Sequence, residues 1–70
     1  MAIKNRLKKI RHEMYIDSQT KMAELLNMNR QQYNRYENQQ VQPDIETAFK
    51  IAKKLNRTVD EIFYLDEPGD

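Results

Sequence analysis

Gln19-Thr20-Lys21-Met22-Ala23-Glu24-Leu25-Leu26-Asn27-Met28-Asn29-Arg30-Gln31-Gln32-Tyr33-Asn34-Arg35-Tyr36-Glu37 is the stretch that decides the fold. It reads as two short helices joined by a tight turn. The first carries an apolar face of Met22, Ala23 and Leu26. The second carries Tyr33 and Tyr36 on its apolar side, and its other faces carry Arg30, Gln31, Gln32, Asn34, Arg35 and, just past its end, Asn38. Long amides and guanidiniums are the side chains that hydrogen-bond base edges and phosphates. Few other tasks call for so many on one short helix.

The rest of the chain extends the same pattern. Ile3, Leu7, Ile10 and Met14 recur at helical spacing and predict a first helix over 3–14, with Lys4, Arg6, Lys8 and Lys9 between them. Ser18 is placed to cap the second helix, over 19–26. Asn27 follows it, where a helix stop favours a left-handed residue, a conformation that Asn tolerates well. The third helix begins after Asn29 and runs to Glu37, and Asn29 with Gln32 resembles a capping box. After the loop from Asn38 to Pro43, Asp44 caps a fourth helix over 45–55. Its apolar positions are Ile45, Ala48, Phe49, Ala52 and Leu55. Asn56 ends it as Asn27 ended the second. Thr58 and Glu61 form a further capping box that opens a fifth helix over 59–63. Residues from Tyr64 onward read as a tail, in which Pro68-Gly69 stops any helix.

The expectation is a compact all-α domain of five helices over residues 1–66, followed by a short acidic tail, 67–70. Strand signals are weak, for the single Gly is at 69 and the two Pro at 43 and 68. Seventy residues without cysteine make one small domain with a thin core and no disulfide or thiolate staple. No apolar run suits a signal peptide or a membrane span, which predicts a cytoplasmic protein with no membrane partner.

The net charge of +1 hides a division. Residues 1–57 hold all 12 Lys and Arg against six acids, a balance of +6. Residues 58–70 hold five acids and neither Lys nor Arg, a balance of −5. Such a bipolar molecule can turn its basic side to a polyanion and its acidic end away.

Taken together, Gln19, Met22-Ala23, Asn27-Met28-Asn29, Glu37, Pro43, Ala52-Lys53-Lys54-Leu55-Asn56 and Thr58-Val59-Asp60-Glu61-Ile62-Phe63 resemble, in order and spacing, the Cro and lambda-repressor type of helix-turn-helix domain, the XRE family. The likeness covers about residues 3–63. Both customary glycines are Asn here, at 27 and 56. Asn38-Gln39 stands where a Gly often follows the recognition helix, and the connection before the second helix is one residue longer than usual.

This resemblance implies a transcriptional regulator that binds double-stranded DNA, most often a repressor that sits on an inverted-repeat operator as a homodimer. An activator, a restriction-modification controller or an antitoxin would use the same fold, and a protein-binding adaptor is the rival from another class. By family position, Arg30, Gln31 and Arg35 face base edges, with Asn34 and Asn29 close by. Gln19, Asn38, Gln32 and Lys21 approach the DNA backbone. Arg11 and Glu37 form a structural ion pair between the first and third helices. Tyr33 and Tyr36 take core positions.

Val59, Ile62, Phe63, Tyr64 and Leu65 form the candidate dimer surface. Ile62–Leu65 is an apolar run too long for one face of a terminal helix, so Tyr64 and Leu65 either pair as a strand across the dimer or close over the core. His12 has no second ligand, no nucleophile–base pair is assembled and no glycine-rich phosphate loop exists. No metal, cofactor, small-molecule effector or enzyme activity is therefore expected.

Overall fold

The computed structural model describes residues 2–67, so most of the expected 67–70 tail lies outside the described residues. The chain folds as β1 (Ala2–Asn5), α1 (Leu7–Glu13), α2 (Gln19–Leu25), α3 (Arg30–Glu37), α4 (Ile45–Leu55), α5 (Val59–Ile62) and β2 (Phe63–Asp66). Five helices build the body, as the periodicity predicts. No helix among the described residues is long and apolar enough to cross a membrane.

One element pair was not expected. β1 and β2 form an antiparallel ribbon with Ala2 opposite Asp66, Ile3 opposite Leu65, Lys4 opposite Tyr64 and Asn5 opposite Phe63. The first helix therefore starts at Leu7 and not at Ile3, and the fifth ends at Ile62 and not at Phe63. The predicted tail from Tyr64 is instead a strand through Asp66. At the N-terminal end, the Asn5 side-chain oxygen accepts from the Leu7 amide at 3.1 Å, which holds an extended-to-helical corner at Arg6. At the C-terminal end, a helix cannot bury Ile62, Phe63, Tyr64 and Leu65 together. An extended chain buries Phe63 and turns Tyr64 to the opposite face.

The core gathers Leu7 and Ile10 from α1, Met22, Ala23 and Leu26 from the α2 region, Tyr33 and Tyr36 from α3, Ala48, Ile51, Ala52 and Leu55 from α4, and Ile62 and Phe63 from the chain's end. Two positions expected on the buried face of α4 lie outside it: Ile45 is 76% exposed and Phe49 59%. The face that packs runs through Ala48, Ile51, Ala52 and Leu55, which rotates Ile45 and Phe49 to the rim. Ile3 and Met14 are likewise exposed, because α1 is shorter than its apolar spacing suggests.

The first four helices share a stopping device. Tyr15, Asn27, Gln39 and Asn56 all have positive φ, at 58°, 59°, 64° and 56°. Each is followed by an amide that reaches back to a carbonyl five residues earlier: Ile16 to Arg11, Met28 to Ala23, Gln40 to Arg35 and Arg57 to Ala52. Each left-handed residue also donates to a carbonyl three residues back. These paired bonds satisfy the last carbonyls of the helices and set sharp exits. The N-termini are held too. Ser18 accepts from the Lys21 amide, Asn29 from Gln32 and Asp44 from Thr47. Glu61 accepts from both the amide and the hydroxyl of Thr58.

Candidate nucleic-acid interface

α3 is fixed from beneath and open above. Its Tyr33 and Tyr36 are buried, and Glu37 at its end is 5% exposed. Burying a carboxylate needs a partner, and Arg11 supplies it. Arg11 Nε donates to Glu37 Oε2 at 3.0 Å and Nη2 to Oε1 at 3.1 Å, while Nη1 donates to the Ile16 carbonyl at 3.1 Å. The planar guanidinium thus ties α1, its exit turn and α3 together. Burial opposes ionisation of Glu37, yet the hydrogen bonds from Arg11 and Gln19, with the Tyr33 hydroxyl nearby, outweigh it and hold the carboxyl below its ordinary range. The Arg11 guanidinium is pushed up, first by its hydrogen bonds to Glu37, against the opposing effect of burial. The Tyr33 hydroxyl lies in the same buried neighbourhood, with no hydrogen-bond partner of good geometry among the described residues. Burial first, then the Glu37 carboxylate, drives its ionisation well above the usual tyrosine range.

From this pair a chain of amides runs outward. Gln19 Nε2 donates to Glu37 Oε1 at 3.1 Å, Asn34 Nδ2 to Gln19 Oε1 at 2.8 Å, and Asn38 Nδ2 to Asn34 Oδ1 at 3.1 Å. The carboxylate sets the sense of the chain. An anion only accepts, so Gln19 must present its NH₂ inward and its oxygen to Asn34, and each further amide follows. Gln19, Asn34 and Asn38 are thereby oriented by one another, each with a spare N–H on its amide nitrogen. Expected as separate contacts, they form one network linking α2 to α3.

Arg30, Gln31 and Arg35 are different. All three are exposed, and their side chains enter no hydrogen bond or ion pair within the described residues. With Asn34 and Gln40 they line a shallow polar concavity on the outer face of α3. Gln40 was not anticipated. It reaches this surface because Gln39 is left-handed and the Gln40 amide folds back to the Arg35 carbonyl at 3.0 Å. The side-chain oxygen of Asn29 serves the Gln32 amide at 2.7 Å, so Asn29 caps α3 beside Arg30. Gln32 takes part through its main chain and is half-buried. Lys21 stands on α2 in an exposed pair with Asp17 at 3.1 Å.

A second polar cluster, missed in the sequence, fixes the exit from α3. Asn5 is 4% exposed. Its Nδ2 donates to the Tyr36 carbonyl at 2.7 Å and to Gln42 Oε1 at 2.9 Å. Gln39 then clasps the Asn5 backbone, accepting its N–H at 3.0 Å and donating to its carbonyl at 2.9 Å. The signal was faint, since these bonds span 31 to 37 residues and follow no local period.

Of the residues expected at a dimer surface, Ile62 and Phe63 pack into the chain's own core and Val59 is half-buried against it. Tyr64 and Leu65 remain exposed, at 36% and 48%.

The model of a helix-turn-helix family matches residues 7–62 of the chain. None of the curated proteins compared with it matches.

Proposed function

The chain belongs to the helix-turn-helix family of the Cro and lambda-repressor (XRE) type, DNA-binding regulators and not enzymes, and we propose that it is a sequence-specific repressor binding an inverted-repeat operator as two copies. In this reading α3 lies in the major groove, with its first turns against base edges and α2 crossing the backbone. The observation that carries it is the contrast along α3. Arg30, Gln31 and Arg35 are exposed and unengaged, whereas the side-chain amides of Gln19, Asn34 and Asn38 beside them are held by one another.

Unengaged guanidiniums on a rigid helix suit bidentate contact with guanine O6 and N7, and Gln31 suits adenine N6 and N7. The spare N–H groups of Gln19 and Asn38 face the phosphates, with Lys21 and the α3 cap at Asn29 and Gln32 beside them. The chain acts in the cytoplasm, at the nucleoid, and represses by occluding the promoter.

Selection of bound duplexes from a random pool tests this directly. A two-fold symmetric site with half-sites about one helical turn apart, ~34 Å, is expected. The double variant Arg30→Ala/Gln31→Ala should lose preference for that site while keeping salt-sensitive background binding. If the preference survives intact, α3 is not the reading element. Failure to enrich any duplex would favour the protein-binding adaptor.

A further inference from the structure

We infer that Gln40 is a further base-reading residue, supplied from beyond the end of α3, and that the clasp of Gln39 on Asn5 positions it. The inference rests on the DNA-reading surface proposed above and adds a residue to it.

Gln40 is exposed, and its side chain enters no hydrogen bond within the described residues. It shares the polar concavity with Arg30, Gln31, Asn34 and Arg35 although it lies outside their helix. The backbone brings it there. Gln39 has φ 64°, and the Gln40 amide returns to the Arg35 carbonyl at 3.0 Å. The chain thus closes over the last turn of α3 instead of leaving it, and Gln40 comes to stand beside Arg35.

The turn alone does not call for a glutamine at position 39. Glycine takes a positive φ without a steric penalty, whereas a residue with a Cβ is strained there. Such strain persists where the surroundings over-determine the conformation. Here they do. Gln39 Oε1 accepts from the Asn5 amide at 3.0 Å and from Gln42 Nε2 at 3.0 Å, and Gln39 Nε2 donates to the Asn5 carbonyl at 2.9 Å. Asn5 is itself buried and held. Its Nδ2 donates to the Tyr36 carbonyl and to Gln42 Oε1, and its Oδ1 accepts from the Leu7 amide. Thus β1, the start of α1, the last turn of α3 and the loop after it meet in one polar cluster. Its effect at the surface is to fix the main chain on which Gln40 stands.

The chemistry of the free amide selects its partner. Gln40 carries no charge, so it cannot add to the counterion release that drives phosphate binding. A carboxamide sets a donor and an acceptor side by side, which is the pattern that adenine N6 and N7 answer together. No hydrogen bond joins Gln40 to the amide chain from Gln19 to Asn38, whose spare donors suit phosphates. Its partner is therefore an adenine edge, at a base pair adjoining that of Arg35.

Fluorescence anisotropy on the selected duplex, and on each single base-pair change within its half-sites, tests this. The wild-type chain should favour the selected pair at that position by roughly fivefold to a hundredfold. Gln40→Ala should abolish this preference and leave those at the other positions unchanged. Gln39→Gly keeps the left-handed turn and removes the clasp. It should weaken the same preference and no other. Added to Gln40→Ala, it should cost nothing more at that base pair, since both changes act through one contact. Circular dichroism should show native helix content in each variant.

A Gln40→Ala profile identical to wild type, or an equal loss on every duplex, overturns the reading role. A Gln39→Gly profile that is unchanged, a loss spread evenly over the half-site, or a loss additive with that of Gln40→Ala overturns the positioning role. Each of these leaves α3 as the reading element, provided that Arg30→Ala/Gln31→Ala loses its own preference. If that double variant keeps its preference, the reading surface as a whole is overturned, and Gln40 with it.

Discussion

Glu37 shows how one buried charge serves a surface task. Its carboxylate costs desolvation, and Arg11, Gln19 and Tyr33 offset that cost. Glu37→Gln strands a buried guanidinium and should destabilise the fold by about 3–5 kcal/mol, measured by urea unfolding. The same pair carries a pH signature. The folded-state pKa of Glu37 lies below its ordinary value of 4.5. Its contribution is therefore fully present above that value and is lost as pH falls through the lower folded-state value, where the native carboxylate finally takes a proton. Asp17, Asp44 and Glu61 are held down as well, the first by Lys21, the second by Thr47 and the third by Thr58. The wild-type curve alone thus mixes several groups. The difference between wild type and Glu37→Gln isolates the pair, and it should shrink on the acid side of 4.5 while remaining flat toward neutrality. The pairing of Arg11 with Glu37 was legible from the family likeness. The amide chain beyond it was not, because its order follows from which end of Gln19 the carboxylate accepts, a question only three-dimensional contact answers. Asn5, Gln39 and Gln42 were illegible for a related reason: a buried polar cluster drawn from distant segments leaves no periodicity behind.

At the level of elements, the helix boundaries were readable wherever a side chain does the capping. Ser18, Asn29 and Asp44 each accept from a helical N–H that would otherwise be unpaired, and at the start of α5 the Glu61 carboxylate accepts from the Thr58 amide and hydroxyl. Asn27 and Asn56 were readable as left-handed stops because Asn visits that region at modest cost. Tyr15 and Gln39 were not, since neither residue type favours positive φ, and for Gln39 a tertiary contact imposes it. For Gln39 the demand is the clasp on Asn5. Tyr15 is 94% exposed, so its side chain gains little there. Tyr15→Gly should therefore stabilise the protein by about 1 kcal/mol, seen as a rise in Tm of roughly 4–8 °C for a domain this small. An unchanged or lower Tm would mean that the tyrosine has a role its exposure conceals. Asn29→Ala should cost ~1 kcal/mol and fray the first turn of α3, which holds Arg30 and Gln31. Amide hydrogen exchange should quicken there before it does in α4. The ribbon was the element least open to sequence reading. Each strand has only four residues, and β1 carries a helical spacing of apolar residues that its tertiary partner overrides.

Across the whole molecule the division of charge separates two tasks. The basic residues lie in 1–57, with α3 and the start of α2 among them, while the acidic end belongs to α5 and β2. On the proposed reading, a polyanion is attracted to the first region and repelled by the second, which orients its approach to α3. Base readers and phosphate contacts then answer differently to salt. Each phosphate neutralised adds about −0.9 to the slope of log affinity against log salt. Lys21, exposed on α2 and tied only to Asp17 on the surface, is expected to act through the phosphate field. Lys21→Ala should weaken binding to specific and random duplexes alike and make the slope shallower by about one per copy. Arg35→Ala, in the polar concavity of α3, should instead lower affinity for the selected duplex by about 1–3 kcal/mol, with a much smaller effect on a random duplex. Fluorescence anisotropy titrations of both variants on both duplexes, over a range of salt, separate the two roles. If Arg35→Ala weakens every duplex equally, Arg35 belongs to the phosphate field, and base reading by α3 rests on Arg30 and Gln31 alone.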